Sequence, residues 1–289
     1  MTPSLVARRS SLVALLICSA TARANCPNTL DNSYCHSVCA VTSTTYDCNV
    51  TNPGATYAAT AYAVSDFTAG YHSVWGVASD GNSFCCEVDG STVDTVILTG
   101  SDLADYLYFY YGNDDLDDLY GQTYATINGG DGDDTIGGSR STTATYDETL
   151  NGDSQDDTIN GNPGDDIING NTGQDIINGG DGVDIIHGND GGDTITGGAG
   201  NDLIWGDNDI DYIGGGDNDD TVRGGSSADE VCGDDGNDDM FGEAGDDLVW
   251  GGAGTNTTNG GIGTDACGTP WLTSTACESQ QVSKPTHCP

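Results

Sequence analysis

The chain has 289 residues, with six Lys and Arg against 46 Asp and Glu and a formal charge of −40. A surface that acidic repels nucleic acid and anionic lipid, excluding both as partners, and attracts cations. Hydrophobic residues make up 35% and glycines number 44, too little apolar material for an ordinary core of this length, so something besides apolar burial must hold a folded chain together.

Residues 1–24 read as a removable leader. Arg8 and Arg9 form a basic start, Leu12 to Ala20 a short apolar run, and Ala22-Arg23-Ala24 a small-residue cleavage signal. The run is about half the length needed to cross a bilayer, and no other stretch is apolar enough. A secreted or surface-exposed product without a membrane span is therefore expected. Residues 25–88 are rich in Cys and Tyr and poor in charge, with Cys26, Cys35, Cys39, Cys48, Cys85 and Cys86. An even set of cysteines in an exported chain reads as disulfides, with a zinc site on Cys35, His36 and Cys39 as the rival. The alternation in Ala61-Tyr62-Ala63-Val64 and Tyr71-His72-Ser73-Val74-Trp75 predicts short strands, hence a small disulfide-rich N-terminal β module. Residues 89–151 read as degenerate repeats followed by a spacer around 138–151.

A nine-residue period then governs residues 152–268. Stepping by nine from Gly152 to Gly260 meets glycine thirteen times. Five residues after each glycine stand Asp157, Asp166, Asp175, Asp184, Asp193, Asp202, Asp211, Asp220, Asp229, Asp238, Asp247, Asn256 and Asp265, aspartate in all but one case. Two residues further on are seven isoleucines, Ile159 to Ile213, then Val222, Val231, Met240, Val249, Thr258 and Cys267. A disordered Gly/Asp tail has no reason to keep a large aliphatic in phase.

The first six residues of each unit carry the glycines of a tight turn, and the last three are β-prone. Two units make a coil of 18 residues. Stacked coils give two short parallel sheets, with Ile159, Ile177, Ile195, Ile213, Val231 and Val249 facing Ile168, Ile186, Ile204, Val222 and Met240. The residues flanking these aliphatics point outward, including Ile167, Ile185, Leu203, Trp205 and Phe241 on one sheet and Ile176, Tyr212, Leu248 and Trp250 on the other. The first of these faces is expected to dock residues 25–88 or a second copy.

Gly179-Gly180-Asp181-Gly182-Val183-Asp184-Ile185-Ile186-His187 and Gly197-Gly198-Ala199-Gly200-Asn201-Asp202-Leu203-Ile204-Trp205 fit G-G-x-G-x-D-x-U-x, with U a large aliphatic. Gly129 to Ile136, with Asp134 at the sixth position, is another copy. The unit resembles the haemolysin-type calcium-binding nonapeptide of RTX proteins. That resemblance implies an all-β, right-handed parallel β-roll, a solenoid with Ca²⁺ ions lying between successive turns. It assigns Asp134, Asp157, Asp166, Asp175, Asp184, Asp193, Asp202, Asp211, Asp220, Asp229, Asp238, Asp247 and Asp265, with turn carbonyls, as metal ligands. Independently, stacking puts equivalent carboxylates about 4.8 Å apart, where like charges repel by roughly 3–4 kcal/mol per pair at an effective dielectric near 20. Oxygen-only, flexible sites favour Ca²⁺ over Mg²⁺ and over zinc or copper.

Some units depart from the pattern. Gln155, Asp209, Asn218 and Ser227 replace the fourth-position glycine, so weaker calcium is expected around 206–229. Asn256 lacks a charge. Thr258 and Cys267 in aliphatic positions point to the roll ending there, with residues 269–289, including Cys277 and Cys288, as a C-terminal cap. None of His36, His72, His187 or His287 lies in H-E-x-x-H, and no G-x-S-x-G occurs. The expected function is therefore not enzymatic. It is that of a calcium-binding protein with a structural, adhesive or surface-interaction role, the alternative being a small secreted hydrolase or toxin with its chemistry in the N-terminal module. A leader at the N-terminus also departs from the usual RTX export route, which reads an uncleaved C-terminal signal.

Overall fold

The computed structural model describes residues 125–139 and 147–268 with their side chains, and the backbone of short strands outside these ranges. The leader apart from Val13–Ala14, the side chains of the N-terminal cysteines, and Cys35 and His36 of the zinc alternative lie outside the described residues.

The chain is an all-β parallel solenoid of about seven turns with about 18 residues per coil. From Thr95–Thr99 onward successive strands alternate between two sheets, so each pairs in parallel with the one two places away in sequence. Ile177 thus lies in register with Ile159 and Ile195 in one sheet, and Ile186 with Ile168 and Ile204 in the other. The outward positions also fall as expected: Ile167, Ile185 and Leu203 line up on one sheet, as do His187, Trp205, Arg223 and Phe241 beside them.

One expectation needs correction. Most strands of the array are six residues long, as in Ile176–Asp181 and Ile185–Asp190, not three, although Leu248–Trp250 and Ala266–Gly268 keep the shorter length. Each six-residue strand takes in the first three residues of the following unit, and the true turn shrinks to three residues such as 182–184. The reason is that glycine at position one keeps an extended backbone. The positive φ falls at positions two and four, as at Gly180 (122°) and Gly182 (144°).

The core is a single file of side chains from each sheet. Ile159, Ile168, Ile177, Ile186, Ile195 and Ile204 are at most 2% exposed. Their neighbours Ile167, Ile176 and Ile185 are 43%, 56% and 38% exposed. Truncation should separate the two sets sharply. Ile186→Ala is expected to cost about 2–5 kcal/mol and Ile185→Ala under about 1 kcal/mol, as read by thermal unfolding in calcium.

The winding begins earlier and continues later than the nonapeptide pattern. Ile127, Ile136 and Leu150 are buried core residues, and Leu150 stands in register with Ile127 and Ile168. The segment read as a spacer therefore contributes a strand, Glu148–Ser154. The coils shorten along the chain: Leu107 pairs with Ile136 and Leu98 with Ile127, steps of 29 residues, Ile136 with Ile159 and Ile127 with Leu150, steps of 23, and the coils that follow take 18. The additional residues enter between Gly137 and Glu148. Upstream, Tyr106–Tyr111 joins one sheet and Thr95–Thr99 the other, in parallel. Thr60–Asp66, Tyr71–Val77 and Ser83–Asp89 form an antiparallel meander, strands where the alternation placed them.

At the other end Thr258 and Cys267 are fully buried in core positions, and Leu272–Thr275 and Ser279–Gln280 add a further strand to each sheet. The roll therefore does not stop at these two residues. Cys232 and Cys267 are both disulfide-bonded. They lie in one sheet, two strands apart. Among the described residues no helix is long and apolar enough to cross a membrane.

Candidate metal centre

The three-residue turns stack into two edges. One carries position-six residues Asp134, Asp157, Asp175, Asp193, Asp211, Asp229, Asp247 and Asp265. The other carries Asp166, Asp184, Asp202, Asp220, Asp238 and Asn256. Every one of these side chains turns inward and is at most 2% exposed, so they do not splay into solvent. The adjacent position-five residues point the other way: exposed Asp165 accepts the Val183 N–H at 2.8 Å, and Asp219 the Asn237 N–H at 2.8 Å.

Within each edge one carboxylate oxygen is tied to the coil below. Asp184 Oδ1 accepts the Asp166 N–H at 2.8 Å and Asp202 Oδ1 accepts that of Asp184 at 2.8 Å on one edge, and on the other the same pattern reaches Asp265 Oδ1 and the Asp247 N–H at 3.1 Å. Across the long coil Asp157 Oδ1 still accepts the Asp134 N–H at 2.7 Å.

The other oxygen has no such donor. In all eleven aspartates from Asp157 to Asp247, Oδ2 is buried without a hydrogen-bond partner. It points at the position-one glycine of its own unit. A methyl group added at Gly215 would lie 2.5 Å from Asp220 Oδ2 and 2.8 Å from the main-chain oxygen of Gly233, and one at Gly233 would lie 2.5 Å from Asp238 Oδ2 and 2.7 Å from Gly251 O. Glycine thus keeps open a cradle in which a carboxylate oxygen and a carbonyl oxygen of the next coil face one point. No three His, Cys, Asp or Glu side chains converge among the described residues.

Burying negative oxygen without a donor is costly. Loss of water is the largest influence on these groups and raises Asp157, Asp166, Asp211 and Asp220 to about 8, against the main-chain N–H bond that lowers each of them. Asp184, Asp193, Asp229 and Asp238 rise to about 7, and Asp175 and Asp202 to about 6, for the same reason. Such groups must take up either protons or cations.

Two features escaped the sequence reading. Glu148 occupies the sixth position at the start of the second edge, 2% exposed, its N–H donating to Asp166 Oδ1 at 2.7 Å. Burial raises it to about 9. Its unit lacks both the opening glycine and the aspartate, although Thr149-Leu150-Asn151 repeats Thr158-Ile159-Asn160. Second, the substituted fourth positions keep the turn: Gln155, Asp209, Asn218 and Ser227 adopt φ of 76°, 73°, 82° and 98°.

A family model of the four-copy RTX calcium-binding nonapeptide repeat matches residues 142–177, 178–213, 205–240, 214–249 and 233–266. Residues 142–266 are RTX calcium-binding nonapeptide repeats. No curated protein matches the chain. RTX nonapeptide repeats bind calcium, and the array of orphaned carboxylate oxygens suits that ion: hard, oxygen-only and anionic. The RTX array also carries an ornamented outer face. His187 stacks on Trp205 with ring centroids 4.3 Å apart and its Nδ1 lies 3.0 Å from Asp207 Oδ2, while Arg223 sits 4.5 Å over the Phe241 ring and pairs with Glu243 at 2.8 Å.

Proposed function

We propose that this is an exported calcium-binding protein whose repeat array folds around Ca²⁺ and acts as a structural, adhesive or surface-presenting element. The position-six carboxylates from Asp134 to Asp265, with carbonyls of the turns, are the ligands. When bound, calcium supplies positive charge between coils. The chain's own groups fix one carboxylate oxygen by a main-chain N–H, aim the other at the cradle, and exclude water from it. The observation that carries this reading is the row of buried Oδ2 atoms with no donor from Asp157 to Asp247.

Residues 1–24 act in this reading as the export signal, and the outside of the cell supplies the ion at the millimolar levels that extracellular calcium modules use. The role is structural: the conserved-phase chemistry of the array is spent on holding cations between coils. The test is equilibrium dialysis of the full chain against Ca²⁺ and, separately, Mg²⁺. Several calcium ions per chain are expected, with magnesium failing to compete at equal concentration. A chain that takes up no calcium at millimolar levels would end the proposal.

A further inference from the structure

Asn256 is the one uncharged residue in the position-six series, and its contacts differ from those of its neighbours in an informative way. It is 1% exposed, and its Oδ1 accepts the Asp238 N–H at 2.8 Å, as an aspartate there would. Its Nδ2 stands where the aspartates hold Oδ2. That nitrogen donates to the main-chain oxygen of Gly251 and, at 3.3 Å, to that of Ala253. Gly251 O is also the carbonyl that shares the Gly233 cradle with Asp238 Oδ2. In an aspartate unit the atom in that place is Oδ2, an acceptor that is buried and finds no donor. A cation resolves this in one way. An amide, with two N–H donors and no net charge, resolves it in another.

We propose that the Asn256 amide takes the place of a bound cation at its turn, so that residues 251–256 close without metal and the cation series on that edge ends at Asp238. This rests on the calcium reading of the aspartates. It assigns to one side chain a definite substitution: two hydrogen bonds to Gly251 O and Ala253 O in exchange for one ion. The last turn of this edge then keeps its shape whether or not calcium is present, whereas every aspartate turn before it depends on the ion.

The experiment compares wild type, Asn256→Asp and Asp202→Asn as full chains, measuring bound calcium by metal analysis after dialysis and unfolding midpoints with calcium and with chelator. Asn256→Asp is expected to bind one more calcium ion per chain, and to unfold more readily than wild type only in chelator. Asp202→Asn is expected to bind less calcium than wild type while resisting chelator better, because its new amide supplies the donors. Equal calcium in wild type and Asn256→Asp, or an Asp202→Asn chain that is less resistant to chelator than wild type, overturns the inference and leaves the calcium reading standing. Absence of calcium from all three chains overturns the calcium reading itself. If Asn256→Asp fails to fold, the Asp202→Asn comparison decides alone.

Discussion

Freed of divalent cations and held at pH 8, the array should lose its β-structure, and acidifying the same sample to about pH 5 should restore much of it. The buried aspartates have folded-state values of about 6 to 8, all above the ordinary 3.8. A folded state that binds protons more tightly than the unfolded chain gains from low pH. Here the gain is fully present below about pH 4, shrinks as pH rises through the folded values, and is gone above about pH 8. On the proposed calcium reading, protons and calcium should then substitute for one another at these carboxylates. The acid and the ion both remove the negative charge that burial penalises. Far-UV circular dichroism over pH 4 to 9, with and without calcium, reads this directly. A metal-free chain equally folded at pH 5 and pH 8 would contradict it.

The second large effect is steric. Gly215→Ala should destabilise the calcium-loaded array by about 3 kcal/mol or more and lower its bound calcium. Gly215 has no positive φ to protect, so conformational freedom is not the reason. Its new methyl would meet Asp220 Oδ2 at 2.5 Å and the rigid Gly233 carbonyl at 2.8 Å, pushing aside an oxygen proposed as a ligand. The adjacent residue provides the contrast. A methyl at Gly214 meets only the far end of the Asp234 side chain at 3.0 Å, so Gly214→Ala should change stability by under about 1 kcal/mol. Chemical unfolding of both variants in calcium is the measurement. Similar losses for the two would refute the idea that position-one glycines guard the cradle.

Much of this fold is written in the residues because one unit is repeated with fixed phase. The spacing of Gly, Asp and Ile is enough to derive the 18-residue coil, the facing sets of Ile177 and Ile186, and the outward set that includes Ile185 and Trp205. What escaped lies where the pattern breaks or where contacts run between coils. Glu148 and Leu150 belong to a unit without its glycine, so no period announces them. The strand length was misjudged because glycine was read as turn wherever it occurred, yet at position one it is kept for room and stays extended. The division of labour within each carboxylate, one oxygen tied to a main-chain N–H and the other orphaned, depends on a partner 18 residues away. Asn256 was legible as a missing charge, but not as two donated hydrogen bonds, since the carbonyls of Gly251 and Ala253 converge only once the turn has closed.

The coil that takes 23 residues instead of 18 says something about how such a chain can grow. Extra length enters at one corner, and the rungs on either side keep their alignment, Asp134 still reaching Asp157. Because each winding touches only its immediate neighbours, a detour at a corner is a local matter. Corners are thus where foreign sequence can be spliced in and displayed at intervals along a rod, leaving its ruler of nearly 5 Å per rung intact.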